Sequence, residues 1–97
     1  MYTVRDVFHL KFGRFQEAKA LFDDAKSKNM FPESSNMRIL SDFTGHSYRL
    51  ILENDHKSLA DYEKEMSEGM GKGDWKTWYE KFKPLVHDSY REILKKW

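Results

Sequence analysis

The sequence predicts an α+β domain whose elements run β-α-β-β-α-β, building a four-stranded antiparallel sheet that carries its helices on one face. Three observations predict it. The first stretch alternates with period two and then changes to helical spacing after Gly13. A central segment, Met37 to Asn54, reads as a hairpin whose cross-strand pairs match in charge and polarity. The C-terminal segment alternates again and can supply the fourth strand that this order of elements requires. At 97 residues, the chain is read as one domain, 1–97.

In Tyr2 to Phe12, Val4, Phe8, Leu10 and Phe12 share one parity, while Arg5, Val7, His9 and Lys11 share the other. Asp6 interrupts the apolar parity, as a bulge does. After Gly13, residues Phe15, Ala18, Leu21, Phe22 and Ala25 recur at spacings of three and four, with Glu17, Lys19, Asp23, Asp24 and Lys26 between them. This is an amphipathic helix closing near Asn29. Pro32 to Asn36 is a polar connector without periodicity.

Met37 to Thr44 and Ser47 to Asn54 flank Gly45-His46, and glycine in first place suits a two-residue type II′ turn. That turn sets Arg38 opposite Glu53, Ile39 opposite Leu52, Leu40 opposite Ile51, Ser41 opposite Leu50 and Asp42 opposite Arg49. Two opposite-charge pairs then flank an aliphatic one. A slip of one residue would set Asp42 against Tyr48 and Arg38 against Leu52, so this register is preferred.

Ser58, with Asp61 three positions on, caps a helix along which Leu59, Tyr62, Met66 and Met70 form a stripe, and Gly69, Gly71 and Gly73 break it. Asp74 caps a second helical run with Trp75, Trp78, Tyr79 and Phe82 on one face, ended or kinked by Pro84. From Leu85 to Trp97 local pattern fits helix, with Tyr90, Ile93 and Leu94 in phase and Glu92 to Lys96 an i,i+4 pair. Ser89 to Trp97 also alternates, and topology selects the strand. The resulting order is the split βαβ, ferredoxin-like motif.

Composition narrows the function classes. Lys and Arg number 17 against 16 Asp and Glu, which supplies no basic field for nucleic acid. No stretch approaches the roughly 20 apolar residues of a membrane span. The absence of cysteine removes thiolate nucleophiles and Cys-ligated metal, and fits a cytoplasmic setting. Met1 leads into Tyr-Thr-Val-Arg-Asp without a basic-then-apolar leader, which adds to that expectation. Seven Phe, five Tyr and three Trp sit beside 34% charged residues and a mean hydropathy of -0.85, an uncommon pairing in so small a domain.

Helices on one side make Val4, Phe8, Ile39, Phe43, Leu50, Leu52 and Leu94 the core face. The other face displays Arg5, Val7, His9, Lys11, Arg38, Leu40, Asp42, Arg49, Ile51, Glu53, Arg91, Ile93 and Lys95. Val7, Leu40, Ile51 and Ile93 form an aliphatic belt across it, ringed by charge. An antiparallel sheet can leave such a face in water. The belt instead suggests a homodimer stacked sheet to sheet, with on the order of 800 Å² buried per partner.

Phe8-His9-Leu10-Lys11-Phe12-Gly13, Asp42-Phe43-Thr44-Gly45, Ser58 to Glu63, Trp78-Tyr79-Glu80-Lys81-Phe82, Pro84-Leu85-Val86 and Arg91-Glu92-Ile93-Leu94 occur in this order along nearly the whole chain. Together they resemble the small NIPSNAP-like proteins of the dimeric α+β barrel superfamily. The resemblance implies a ferredoxin-like protomer and a homodimer whose sheets close into a barrel. It hands over no reaction, because that superfamily spans cofactor-free monooxygenases, isomerases and haem-degrading enzymes.

On the residues themselves, His9 is a candidate general base, with Arg49 and Asp42 beside it as a catalytic group. Arg5, Arg38, Glu53 and Arg91 are candidate ligand-binding residues on the same face. The bland alternative for His9 is a structural hydrogen bond at the interface. His46, His56 and His87 read as surface residues. No two histidines stand at i,i+3 or i,i+4 and there is no HExxH, so no metal is expected, and no cofactor is implied. Neither a Gly-x-Ser-x-Gly elbow nor Walker spacing is present, and Gly69 to Gly73 reads as an inter-helix loop. The Trp75, Trp78, Tyr79 and Phe82 stripe is core by spacing, or a ligand wall. Two functions remain. One is a homodimeric small-molecule-binding or accessory module; the other is a cofactor-free enzyme on a small aromatic or carbonyl compound, sited in the barrel or in the cleft between sheet and helices.

Overall fold

The computed structural model describes residues 1–28, 30, 37–69 and 74–97. The expected close of the first helix at Asn29, the connector Pro32 to Asn36, and Met70, Gly71 and Gly73 lie outside them. Strand β1 (Tyr2–Leu10), helix α1 (Phe15–Ser27), strands β2 (Arg38–Ser41) and β3 (Arg49–His56), helices α2 (Leu59–Gly69) and α3 (Trp75–Phe82), a 3-10 turn (Lys83–Leu85) and strand β4 (Val86–Lys95) follow in that order. The strands pair antiparallel in the order β2-β3-β1-β4. This is the ferredoxin-like α+β arrangement expected from the sequence. Among the described residues no helix is long and apolar enough to cross a membrane.

The helices cover one sheet face. Leu10 and Leu50 of the sheet pack with Ala18, Phe22 and Ala25 of α1, with Trp78 and Phe82 of α3, and with Met30 and Leu85, all buried. Phe22 meets Trp78 and Phe82 edge-on at 5.0 and 5.2 Å between centroids, the favoured geometry for aromatic pairs. The Trp78 indole N–H donates to the Leu21 carbonyl at 2.7 Å, which pins α3 against α1. Ser58 caps α2 as expected, its Oγ accepting from the Asp61 N–H at 3.1 Å. Asp74 stands at the cap of α3 but makes no side-chain cap bond.

The β2–β3 register is the expected one, with Arg38 opposite Glu53, Ile39 opposite Leu52, Leu40 opposite Ile51 and Ser41 opposite Leu50. The turn differs. The ladder stops at Ser41, and residues 42–48 form an open loop in place of a two-residue turn on Gly45-His46. The physical reason is Asp42, whose carboxylate takes both the Arg49 backbone N–H (3.2 Å) and its guanidinium (2.8 Å), while Leu10 N–H claims the Tyr48 carbonyl. Phe43, expected in the core, is carried out on this loop and is fully exposed.

Two expectations about the edge of the sheet are corrected. Asp6 marks no bulge and pairs regularly with Leu52 and Arg91, while the register shift falls between His9 and Leu10. Strand β4 has the opposite phase to the one expected. Arg91 pairs with Asp6 and Ile93 with Val4 on the helix side, so Tyr90, Glu92 and Leu94 take the outer face. A charged Asp6 under the helix layer needs a partner there, and Arg91 supplies it.

Candidate functional site

The outer face is organised in rows that cross the strands. Leu40, Ile51, Val7 and Tyr90 stand opposite one another from β2 to β4. The aliphatic belt therefore exists, but its fourth member is Tyr90 and not Ile93. Beside it runs Arg38, Glu53, Arg5 and Glu92, with alternating sign. Glu53 receives Arg5 Nε at 2.6 Å and Arg38 Nη2 at 3.1 Å, and Arg5 reaches Glu92 at 3.4 Å. Arg38 also meets Asp55, which accepts from Thr3 Oγ1 at 2.8 Å. The Arg5 hydrogen bond, joined by that of Arg38, holds the Glu53 carboxyl below its ordinary value although burial opposes it. Hydrogen bonds from Arg49 and from Arg38 likewise lower Asp42 and Asp55.

On the far side of the belt, His9 pairs with Arg49 and Asp88. Its Nδ1 lies 2.5 Å from Asp88 Oδ1, and its ring is 6.0 Å from that of His46. The structure thus brings His9, Arg49, Asp42, Arg5, Arg38 and Glu53 onto one face and removes Arg91 to the other. Each of those charges is already engaged: Asp42 by Arg49, His9 by Asp88, Glu53 by two guanidiniums. Such a face is built of satisfied pairs.

A cavity lies on the opposite side of the sheet, between it and the helices. It measures ≈ 550 Å³ and is lined by residues of β1, β3, β4 and all three helices, with His9 and Arg49 not among them. Its wall is aromatic. Trp75 and Trp78 lie 5.3 Å apart at 24°, and Trp78 and Phe82 lie 5.2 Å apart at 22°, so three rings form a shallow-angled stack. The helical stripe read from sequence is therefore both core and cavity lining. Polar groups collect at its α2 end: Asp6, Asn54, His56, Tyr62, Glu65 and Arg91.

Here Arg91 donates through Nε to Asp6 Oδ1 at 2.5 Å and through Nη1 to the Tyr62 hydroxyl at 2.6 Å. Burial raises the Tyr62 phenol above its usual value, so it stays protonated. His56, read from sequence as a surface residue, is 6% exposed; Nδ1 lies 3.4 Å from Glu65 Oε2 and its ring stacks edge-on to Tyr62 at 5.2 Å. Its Nε2 and the Asn54 Oδ1 are buried without a hydrogen-bond partner among the described residues. Leu50, Leu52, Asn54 and His56 share one parity, and carrying the alternation two residues past Asn54 would have put His56 under the helices. Among the described residues, no cluster of three His, Cys, Asp or Glu is arranged to hold a metal ion.

A ferredoxin-like sheet with one helix-covered face, a lined cleft beneath the helices and a charge-paired outer face defines a widespread α+β class. Within that class the fold is that of NIPSNAP domain proteins, as the sequence segments suggested. An uncharacterised NIPSNAP domain protein from Burkholderia xenovorans superposes with a TM-score of 0.89 at 9% identity, covering 100% of this chain and 95% of that one. A NIPSNAP family protein from Agrobacterium tumefaciens gives 0.89 at 16% identity over 99% and 92% of the two chains. An antibiotic biosynthesis monooxygenase gives 0.75 at 8% identity over 100% and 99%. At such identities the likeness is one of fold. No family model matches the sequence, and no curated protein matches it.

Proposed function

We propose that the protein is a homodimeric, NIPSNAP-like small-molecule-binding module that takes its ligand in the cleft between sheet and helices. The observation carrying this reading is the ≈ 550 Å³ cavity, walled by Trp75, Trp78 and Phe82 and ended by a cluster of polar groups. Its size and its mixture of broad apolar lining with few polar groups are those of small-molecule sites. The dimer rests on the outer face, whose Leu40 and Tyr90 are exposed while the flanking charges are paired within the protomer. Covering that face leaves these charges with partners inside the protomer, which lowers the cost of burying it. A cytoplasmic location belongs to the same reading.

A second reading, a cofactor-free enzyme, draws on the monooxygenase among the similar folds and on His56 in the cleft. For that reading the chemistry moves from His9, Arg49 and Asp42 to the cleft. A thermal-shift screen of metabolites on the purified protein tests the primary proposal. Flat, apolar compounds should raise the melting temperature, and filling the cleft by Ser89→Trp should abolish the response. A rise that survives the filled cleft would put the ligand elsewhere.

A further inference from the structure

Two acceptors without partners sit in the same cavity. Glu65 Oε2 lies 3.4 Å from His56 Nδ1, and a neutral imidazole that turns its Nδ1–H to that carboxylate keeps Nε2 as an acceptor. Asn54 Oδ1 is an acceptor by nature. The two residues are separated by two positions on β3, about 6.6 Å along the strand. Both line the cleft, and both atoms are buried without a partner. Burying such atoms is costly until a donor meets them. Two nearby donors are turned elsewhere: the Trp78 indole N–H bonds to Leu21, and Arg91 bonds through Nε and Nη1 to Asp6 and Tyr62.

Charge and shape narrow the ligand further. The cleft presents two carboxylates, Asp6 and Glu65, against the one guanidinium of Arg91, which discourages an anion. The Trp75, Trp78 and Phe82 rings, stacked on one another, make the cleft wall apolar and aromatic, which suits a ring compound. Resting on the cleft reading above, we infer that the ligand class is a flat, neutral ring compound carrying an N–H or O–H, whose donor meets His56 Nε2 or Asn54 Oδ1.

Indole and benzofuran test this cleanly, because they share a shape and differ in one donor. Both are titrated into the full-length protein and followed by chemical shifts of the tryptophan indole N–H signals. Indole should bind about tenfold more tightly, the usual worth of one hydrogen bond. His56→Leu or Asn54→Leu should erase the preference of indole over benzofuran. Should His56→Leu fail to fold, Asn54→Leu and His56→Phe carry the same comparison. Equal binding of the two probes in the wild type, or a preference that persists in both variants, overturns the donor requirement and leaves the cleft intact. Failure of both probes to shift Trp75 and Trp78 overturns the cleft itself.

Discussion

Asp6 and Arg91 face each other across β1 and β4 under the helices, and the same guanidinium that binds the carboxylate holds the Tyr62 hydroxyl of α2. One arginine therefore ties the edge strand, the central strand and a helix together. Arg91→Met keeps the stem and removes the fork, leaving Asp6 half-buried without its partner. Since both groups are partly wet, the expected loss is about 1 kcal/mol of unfolding free energy. Arg91→Lys should recover little, because a single ammonium cannot reach both acceptors. Urea unfolding checks this, and a wild-type midpoint for Arg91→Met would show that the tether adds nothing.

Acid should weaken the fold through its outer face. Glu53, Asp42 and Asp55 all have carboxyls lowered by hydrogen bonds from arginine, from ordinary values of 4.5, 3.8 and 3.8. A lowered folded-state pKa means that the unfolded chain binds protons first, so the stabilisation is fully present above the unfolded values. It fades as pH falls through them towards the lower folded ones. Stability should be level above about pH 5.5 and decline progressively below about pH 4.5. Glu53→Gln should flatten that decline. Guanidinium unfolding across pH 2.5 to 7 measures it, and an unchanged slope in the variant would assign the acid sensitivity to other groups.

Much of this architecture is legible in the sequence because cross-strand chemistry is redundant there. The Arg38 to Glu53 and Leu40 to Ile51 pairs specify the β2–β3 register so firmly that it persists although the turn opens into a loop. Strand β4 has no such redundancy. Its two parities, Tyr90-Glu92-Leu94 and Arg91-Ile93-Lys95, each mix apolar with charged residues, so hydrophobicity cannot phase it. The phase comes from Asp6, a contact between residues 85 positions apart in the chain. His56 escapes notice for a different reason: its burial depends on α2 folding back over β3, where its ring meets Tyr62.

Trp78 joins the core to the cleft, and truncating it should show both roles. Trp78→Ala removes a buried ring that contacts Phe22 and Phe82, at a cost of about 3–5 kcal/mol. That approaches the whole stability of a domain this size. Trp78→Phe keeps most of the packing but leaves the Leu21 carbonyl without its donor, and about 1–2 kcal/mol should be lost. Denaturant unfolding of the two variants separates packing from hydrogen bonding. A Trp78→Phe protein as stable as wild type would mean that the bond to Leu21 contributes nothing net.

The sharpest prediction for the outer face comes from two positions on β4, three residues apart. Tyr90 and Ile93 are 45% and 46% exposed, yet the register puts Tyr90 in line with Val7 on the outer face and Ile93 opposite Val4 beneath the helices. Exposure alone does not distinguish them; the strand phase does. With a sheet-to-sheet homodimer, Tyr90→Glu and Ile51→Glu set a new charge in the apolar row and should give monomers by sedimentation velocity at micromolar concentration. Ile93→Glu should sediment as the wild-type dimer. An unpaired charge at a buried interface costs several kcal/mol, enough to weaken association by two orders of magnitude or more. A wild-type monomer would remove the dimer outright. Dissociation by Ile93→Glu with Tyr90→Glu still dimeric would move the interface to the helix-bearing side, and the paired charges of the outer face would then be a solvated surface.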